Sequence, residues 1–338
     1  MRSFPITTLA LLAALTGLAS GAGAQTQVCT GRDMLAELKA AEPQSYAAVR
    51  AAADNTENAK ALLWKIERTD AADKPASYLF GTVHLSDDRV HKLSVAVTKA
   101  MNSARRVAVE VEDLTPTRIA EALHTLRDNA TLPEGESLDK LLTAPELEKV
   151  TARLARIGLK GEAALRVRPW VVQMVLGISD CERTRQALGR RSLDAEIEHH
   201  AEDRGVGTVG LETVELQLEA LAVVPDEHQL RILKASLALS DRIDDMQETM
   251  VRLYLGRDLG AIWPLHVAMG AKFGAPTAAF DAFAQSLLVS RNIQMRDRSL
   301  LHLQSGGMFI AVGALHLPGK NGLVRLLQDE GYTMTAVE

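Results

Sequence analysis

Hydrophobic and polar positions change period several times along the chain, and each change marks an element. Residues 33 to 53 ("DMLAELKAAEPQSYAAVRAAA") carry apolar side chains at helical spacing, with Asp33 placed to cap the start and Pro43 breaking the run. "ALLWKIERT" (61–69) and "ASYLFGT" (76–82) are short β-rich runs separated by the polar turn "DAADKP", which predicts two strands. A helix follows over about Lys92 to Ala104, and "RRVAVEVE" (105–112) then alternates as a strand does. Strand, helix and strand in that order predict a βαβ unit with a parallel pair.

The middle of the chain predicts helices. "TRIAEALHTLRDN", "APELEKVTARLARIG" and "RPWVVQMVLGISDCERTRQAL" repeat apolar residues at spacings of three and four, with Pro145 near one start and Gly158 near one end. "SLDAEIEHHAEDRG" is another helix, "VGTVGLE" (206–212) a short β-rich run, and the residues up to 304 are again mostly helical. "GGMFIAVGALH" (306–316) predicts a strand, "GKNGLVRLLQDEG" a helix closed by Gly331, and "YTMTAVE" a last strand.

Two of these stretches match each other. "SYLFGTVHLS" (77–86) and "FIAVGALHLP" (309–318) each end a strand in G-x-x-H, so that Gly81 aligns with Gly313, His84 with His316 and Leu85 with Leu317. After each histidine comes a helix and then a β-rich strand. The expectation is an α/β (α+β) fold with a mixed central sheet built from two related halves. Each half carries a strand–GxxH–helix–strand unit, and a helical insertion at about 114–205 lies between them.

Ligands of open α/β sheets bind beyond the carboxyl ends of the strands. A glycine there lets the backbone turn sharply, and a histidine three residues on projects above the sheet edge. If both units share a sheet, His84 and His316 converge, and two converging imidazoles point to a metal site that needs at least one carboxylate more. Glu110 interrupts the strand "VAVEVE", where an ionised group is costly unless paired or metal-bound; Glu112 shares its face and Asp113 follows. Glu212 stands at the carboxyl end of "TVGLE".

Each of these has a plainer reading. A lone G-x-x-H histidine is structural, Glu110 pairs with Arg105 or Arg106, and Glu212 favours the positive end of the helix after it. His199 and His200 in "EHHAEDRG" point about 100° apart on a helix, lack H-E-x-x-H spacing, and read as a solvated face. Phosphate-loop, dinucleotide and G-x-S-x-G signatures are absent.

Composition narrows the setting. Hydrophobic residues make up 47% of the 338, enough for a sizeable core, and the net charge of −5 argues against nucleic acid as a partner. Arg2, the short apolar stretch "ITTLALLAALTGLA" and the small residues Ala22 and Ala24 read as a secretory signal peptide over 1–24, cut after Ala24. The stretch is too short for an anchor, and no later segment is apolar enough to span a membrane. Residues 25–338 are then a single domain of a secreted or periplasmic protein. In an oxidising compartment the two cysteines, Cys29 and Cys181, are read as a disulfide.

"YLFGTVHL", "VAVEVE", "GLETVELQLEAL", "SRNIQM" and "FIAVGALHLPGKNGLVRLLQDEGYTM" together resemble the TraB/GumN family, which is similar to the Tiki metalloproteases. The resemblance runs from about Leu63 to the C-terminus. It implies two related α/β halves and a metal-dependent, peptidase-like hydrolase. By motif it implies His84 and His316 as metal ligands, joined by Glu110 or Glu212, with the other glutamate taking a proton from water. Arg291 and Asn292 match the family's "RN" pair and are the implied oxyanion donors. The ligand types suit Zn, Mn or Co. The implied partner is a peptide or other small hydrolysable substrate. Two rivals come from other classes. One is a non-catalytic metal- or haem-binding envelope protein, since the haem-binding ChaN proteins have a similar fold. The other is a scaffold in polysaccharide assembly.

Overall fold

The apolar run "MFIAVG" is buried along nearly its whole length, and it forms the middle of the sheet. In the computed structural model, which describes residues 29–68, 74–112 and 114–338, six strands assemble into one mixed sheet. They are β1 (Leu63–Glu67), β2 (Ser77–Thr82), β3 (Arg106–Val109), β4 (Gly207–Gly210), β5 (Met308–Gly313) and β6 (Thr333–Ala336). Their order is β4-β3-β5-β2-β1-β6. The expected signal peptide and Asp113 lie outside the described residues.

β4, β3, β5 and β2 run parallel, whereas β1 is antiparallel to both β2 and β6. The "ALLWKIERT" and "ASYLFGT" runs therefore form the two expected strands, and these pair antiparallel. One expectation needs correcting: β2 and β3 flank a connecting helix, yet they are not neighbours. β5 sits between them and pairs with each. Its residues are apolar on both faces, as a central parallel strand requires, and period-2 geometry sends Phe309 and Ala311 into one core and Ile310 and Val312 into the other.

The sheet is covered on both sides. On one face Phe80, Val107, Val109 and Phe309 pack against helices that include Met34–Ala41, Val95–Ser103 and Leu193–Asp203. The first of these begins at Asp33, whose side chain accepts from Leu35 and Ala36 N–H. On the other face Leu79, Ala108, Ile310 and Val312 meet the helices Arg291–Leu303 and Leu323–Asp329. Among the described residues from β3 to β4 the regular structure is helical apart from one isolated bridge, and the helices Ala144–Arg156 and Pro169–Leu176 share a separate core with Asp226–Ala238.

Cys29 and Cys181 form a disulfide with Cα atoms 5.9 Å apart, fixing the first described residues to the helix Asp180–Ala187. That helix also steadies the loop after β2. Glu182 accepts from Ser86 N–H, and Arg185 pairs with buried Asp87, which Arg89 grips from its own loop.

Candidate active site

The four parallel strands end at one sheet edge, and each delivers a candidate residue just beyond its last position. Across the edge the order is Glu212 after β4, Glu110 after β3, His316 after β5 and His84 after β2. The backbones of the first two are tied together, Glu212 N–H donating 2.7 Å to the Glu110 carbonyl. The two G-x-x-H turns are thus adjacent, since β2 and β5 pair through Gly81↔Val312 and Thr82↔Gly313.

Neither glycine is there for a left-handed turn: Gly313 has φ −52°, and Gly81 is not among the positive-φ residues. Both permit close approach. A Cβ on Gly81 would stand 3.0 Å from Ala314 Cα and 3.0 Å from Leu317 Cδ2. A Cβ on Gly313 would stand 3.0 Å from Glu110 Oε1, 3.4 Å from His84 Nε2 and 3.6 Å from His316 Cδ2. Three chemically active side chains therefore converge on one missing methyl group.

The tautomer of His316 follows from its neighbours. Asn292 donates its Nδ2 to the Asn321 carbonyl at 2.7 Å, which leaves Oδ1 facing His316 Nδ1 at 2.6 Å. That ring nitrogen must be the donor. Burial pushes the His316 pKa down to about 4, so the ring is neutral and Nε2 carries a lone pair. It faces Glu110 Oε1 across 3.5 Å. Two acceptors confront each other there, and two donors held about 2.1 Å from one tetrahedral ion would stand about 3.4 Å apart.

His84 is held differently. Asp194 Oδ2 lies 2.8 Å from its Nδ1, and the other Asp194 oxygen accepts from Thr82 Oγ1. Asp194, reinforced by Glu110, pushes the His84 pKa up to about 10; the same negative charge favours any cation on this ring. Its side chain remains open to solvent while that of His316 is buried.

Arg291 joins the two glutamates. Its Nε lies 3.0 Å from both Glu212 oxygens, and Nη2 reaches Glu212 Oε2 at 2.6 Å and Glu110 Oε2 at 2.8 Å. Gln217 Nε2 adds a bond to Glu110 Oε2 at 3.0 Å. Burial works against the ionised form of Glu110, yet the His316 and His84 rings, Arg291 and the Gly313 N–H hold its pKa far below the ordinary carboxylate range. Glu110 thus pairs with Arg291 rather than Arg105 or Arg106, and Glu112 is exposed away from it. Arg291 emerges from a π-helical stretch, Gln285–Ser290, a distortion frequent at functional sites.

Glu110, Glu212 and Asp194 carry three negatives against Arg291 and the protonated His84 ring, with the His316 ring neutral between them. A divalent cation taking the place of the His84 proton would balance that set, and its donors of two imidazoles and a carboxylate suit Zn, Mn or Co. Among the described residues, however, no group of three or more His, Cys, Asp or Glu side chains is gathered tightly enough to hold an ion as it stands. His199 and His200 lie apart from the site, His199 facing Glu202 and Asp203 and His200 bonded to Asn102.

Asp194 and Gln217 were missed from sequence. Asp194 sits two residues after the cap Ser192, in the first turn of a helix where an acid is ordinary. Gln217 lies on the helix Val214–Ala222, five residues beyond Glu212, and nothing in its spacing marks it.

The TraB/PrgY/gumN family matches residues 62–336. The uncharacterized protein YbaP of Escherichia coli (strain K12) is 23% identical over 254 residues, 74% of this chain and 87% of that protein. Metalloprotease TIKI2 of Xenopus tropicalis is 24% identical over 322 residues, 82% of this chain and 60% of the length of that relative. No solved structure matches the chain.

Proposed function

We propose that this chain, which belongs to the TraB/PrgY/gumN family, is an exported metal-dependent hydrolase acting on peptide bonds. The observation that carries the reading is the pair of opposed lone pairs, His316 Nε2 and Glu110 Oε1, 3.5 Å apart beside the Gly313 notch. His316, Glu110 and the exposed ring of His84 would hold the ion. When bound, a divalent ion there supplies Lewis-acid polarisation of a carbonyl and lowers the pKa of water towards neutrality. The similarity to a metalloprotease of Xenopus tropicalis supports the same chemistry.

The protein's own groups then take separate duties. Asn292 and Asp194 each fix an imidazole tautomer so that Nε2 of both rings faces the reaction. Glu212, with both oxygens committed to Arg291, seats the guanidinium rather than facing the imidazoles. Arg291 in turn orients Glu110 and presents positive charge towards a developing oxyanion. The disulfide agrees with an oxidising compartment, and no described helix is long and apolar enough to cross a membrane.

The test is metal analysis and peptide turnover by protein recovered from a periplasm. His84→Ala and His316→Ala should each empty the site with the fold intact, and the double variant should lose no more than either alone. Glu110→Gln distinguishes two duties: loss of metal makes it a ligand, whereas retained metal with lost rate makes it the proton acceptor. Glu212→Gln should keep its metal. Wild-type metal content in both histidine variants would overturn the hydrolase reading.

A further inference from the structure

His84, Arg291, Gly313 and His316 also line a cavity of about 660 Å³, roofed by helices from the middle of the chain. Its volume is that of an ordinary ligand site, about 300–1,000 Å³. Away from the sheet edge its walls are apolar: Met174, Ile232, Met246, Met250, Trp263 and Met269 all face it. Unbranched methionine side chains repack around different shapes, so such a wall suits a class of side chains rather than one.

The charge of the lining excludes ionic guests. Among the described lining residues none is acidic. Arg291 is already bound by Glu110 and Glu212, Arg242 by Glu37 and Asp245, and the His84 ring by Asp194. A charged side chain entering this space would give up its water and find no free counter-ion.

Polar groups are nonetheless set into the apolar wall. His266 on the helix Ile262–Lys272 donates Nδ1–H to the Ile262 carbonyl at 2.8 Å, which fixes its tautomer. Burial lowers its pKa, so the ring is neutral and Nε2 is an acceptor. Among the described residues that nitrogen has no hydrogen-bond partner. Gln173 and Ser236, bonded to each other at 2.8 Å, line the same space. A fatty acyl chain would have nothing to offer these groups, whereas the amides of a peptide have donors and acceptors at every residue.

We infer that this cavity is the specificity subsite of the enzyme, taking an uncharged peptide segment with large aliphatic, methionine or phenylalanine side chains next to the bond that reacts. His266 Nε2 accepts a backbone N–H of that segment. The inference rests on the hydrolase reading, but the binding itself does not depend on catalysis. Apolar contacts away from the reacting bond supply the energy that holds it in register.

Binding can be followed without turnover through Trp263, which lines the cavity in edge-to-face contact with Phe280 at 6.2 Å. The probes are a short blocked peptide of leucine and alanine, the same peptide with glutamate for leucine, and palmitate. The full-length exported protein should bind the apolar peptide, shift its tryptophan emission, and bind the acidic peptide at least tenfold more weakly. Met250→Asp should weaken the apolar peptide tenfold or more, with Met250→Leu near wild type and circular dichroism unchanged in both. His266→Phe should weaken it several-fold and His266→Gln, which restores an acceptor, should recover part of the loss.

Palmitate bound in preference to the peptide, or equal binding of the acidic and apolar peptides, would overturn the inference. So would wild-type peptide affinity in Met250→Asp and His266→Phe together. Turnover separates the two readings. Cleavage confined to charged peptides would overturn the subsite and leave the hydrolase, while tight apolar binding with no cleavage in the presence of zinc, manganese or cobalt would support the subsite and overturn the hydrolase.

Discussion

Gly313→Ala separates the demands of the site from those of the fold. The backbone there has φ −52° and ψ 134°, which alanine adopts without strain. Reducing the freedom of the unfolded chain favours the folded state by about 0.4–1 kcal/mol. Against this, the new methyl stands 3.0 Å from Glu110 Oε1, where ordinary contact begins nearer to about 3.5 Å. The carboxylate must retreat by a few tenths of an ångström, and it has little room. Arg291 and Gln217 hold its other oxygen, and Gly313 N–H holds this one.

The two effects on stability nearly offset, so the unfolding free energy should stay within about 1 kcal/mol of wild type. Function should not survive so well, because active constellations tolerate about 0.5 Å and a misplacement of about 1 Å costs roughly a hundredfold. Metal affinity and turnover should fall about tenfold to a hundredfold, measured by competition with a fluorescent chelator and by peptide hydrolysis. Urea unfolding followed by circular dichroism checks the fold. Gly81→Ala is the contrasting case: its methyl meets Ala314 Cα and Leu317 Cδ2, so it should destabilise by about 1–3 kcal/mol. Wild-type metal affinity in Gly313→Ala would refute the convergence of the three side chains, and a loss of several kcal/mol would make this glycine a requirement of folding.

Arg291→Met leaves Glu110 and Glu212 buried without their cation and should cost about 3–5 kcal/mol at neutral pH, shrinking as acid neutralises them; urea titrations at two pH values test it, and a loss under about 1 kcal/mol contradicts it. Asp87 is held at about 2 by Arg89 and Arg185 against the opposing effect of burial. Its stabilisation is therefore full above the unfolded value near 3.9 and is lost as pH falls towards 2, an effect of about 2 kcal/mol. Acid unfolding of Asp87→Asn should lack that component, and identical acid curves would sink the assignment. The Cys29–Cys181 bond closes a long loop, so Cys29→Ser should cost about 2–4 kcal/mol. Thiol labelling of denatured, unreduced protein should find no free cysteine, and two labelled cysteines would mean that the bond does not form.

Much of the fold was legible because each strand is short, apolar and bounded by turn residues, and each helix repeats its apolar face at the right period. Asp33, Pro43 and the alternation in "RRVAVEVE" are local signals, and local structure obeys them. Strand order is not local. β5 comes some two hundred residues after β3 and still inserts beside it, because only a strand apolar on both faces can occupy the centre of a covered parallel sheet. The π-helical stretch before Arg291 is hidden as well: "QSLLVS" reads as uninterrupted helix.

The site was legible where chemistry breaks a pattern and hidden where it obeys one. Glu110 stood out as an acid in an apolar strand, and the two histidines stood out by repetition. Asp194 did not, since an acid in the first turn of a helix is what the helix dipole favours anyway. The repetition also conceals an asymmetry. Gly81 makes room for the second turn's backbone, whereas Gly313 makes room for the first turn's imidazole and for Glu110. His84 is exposed and leans on a carboxylate; His316 is buried and leans on an amide. Two turns that look alike in sequence therefore contribute one buried, neutral imidazole and one exposed imidazole paired with a carboxylate to the same point.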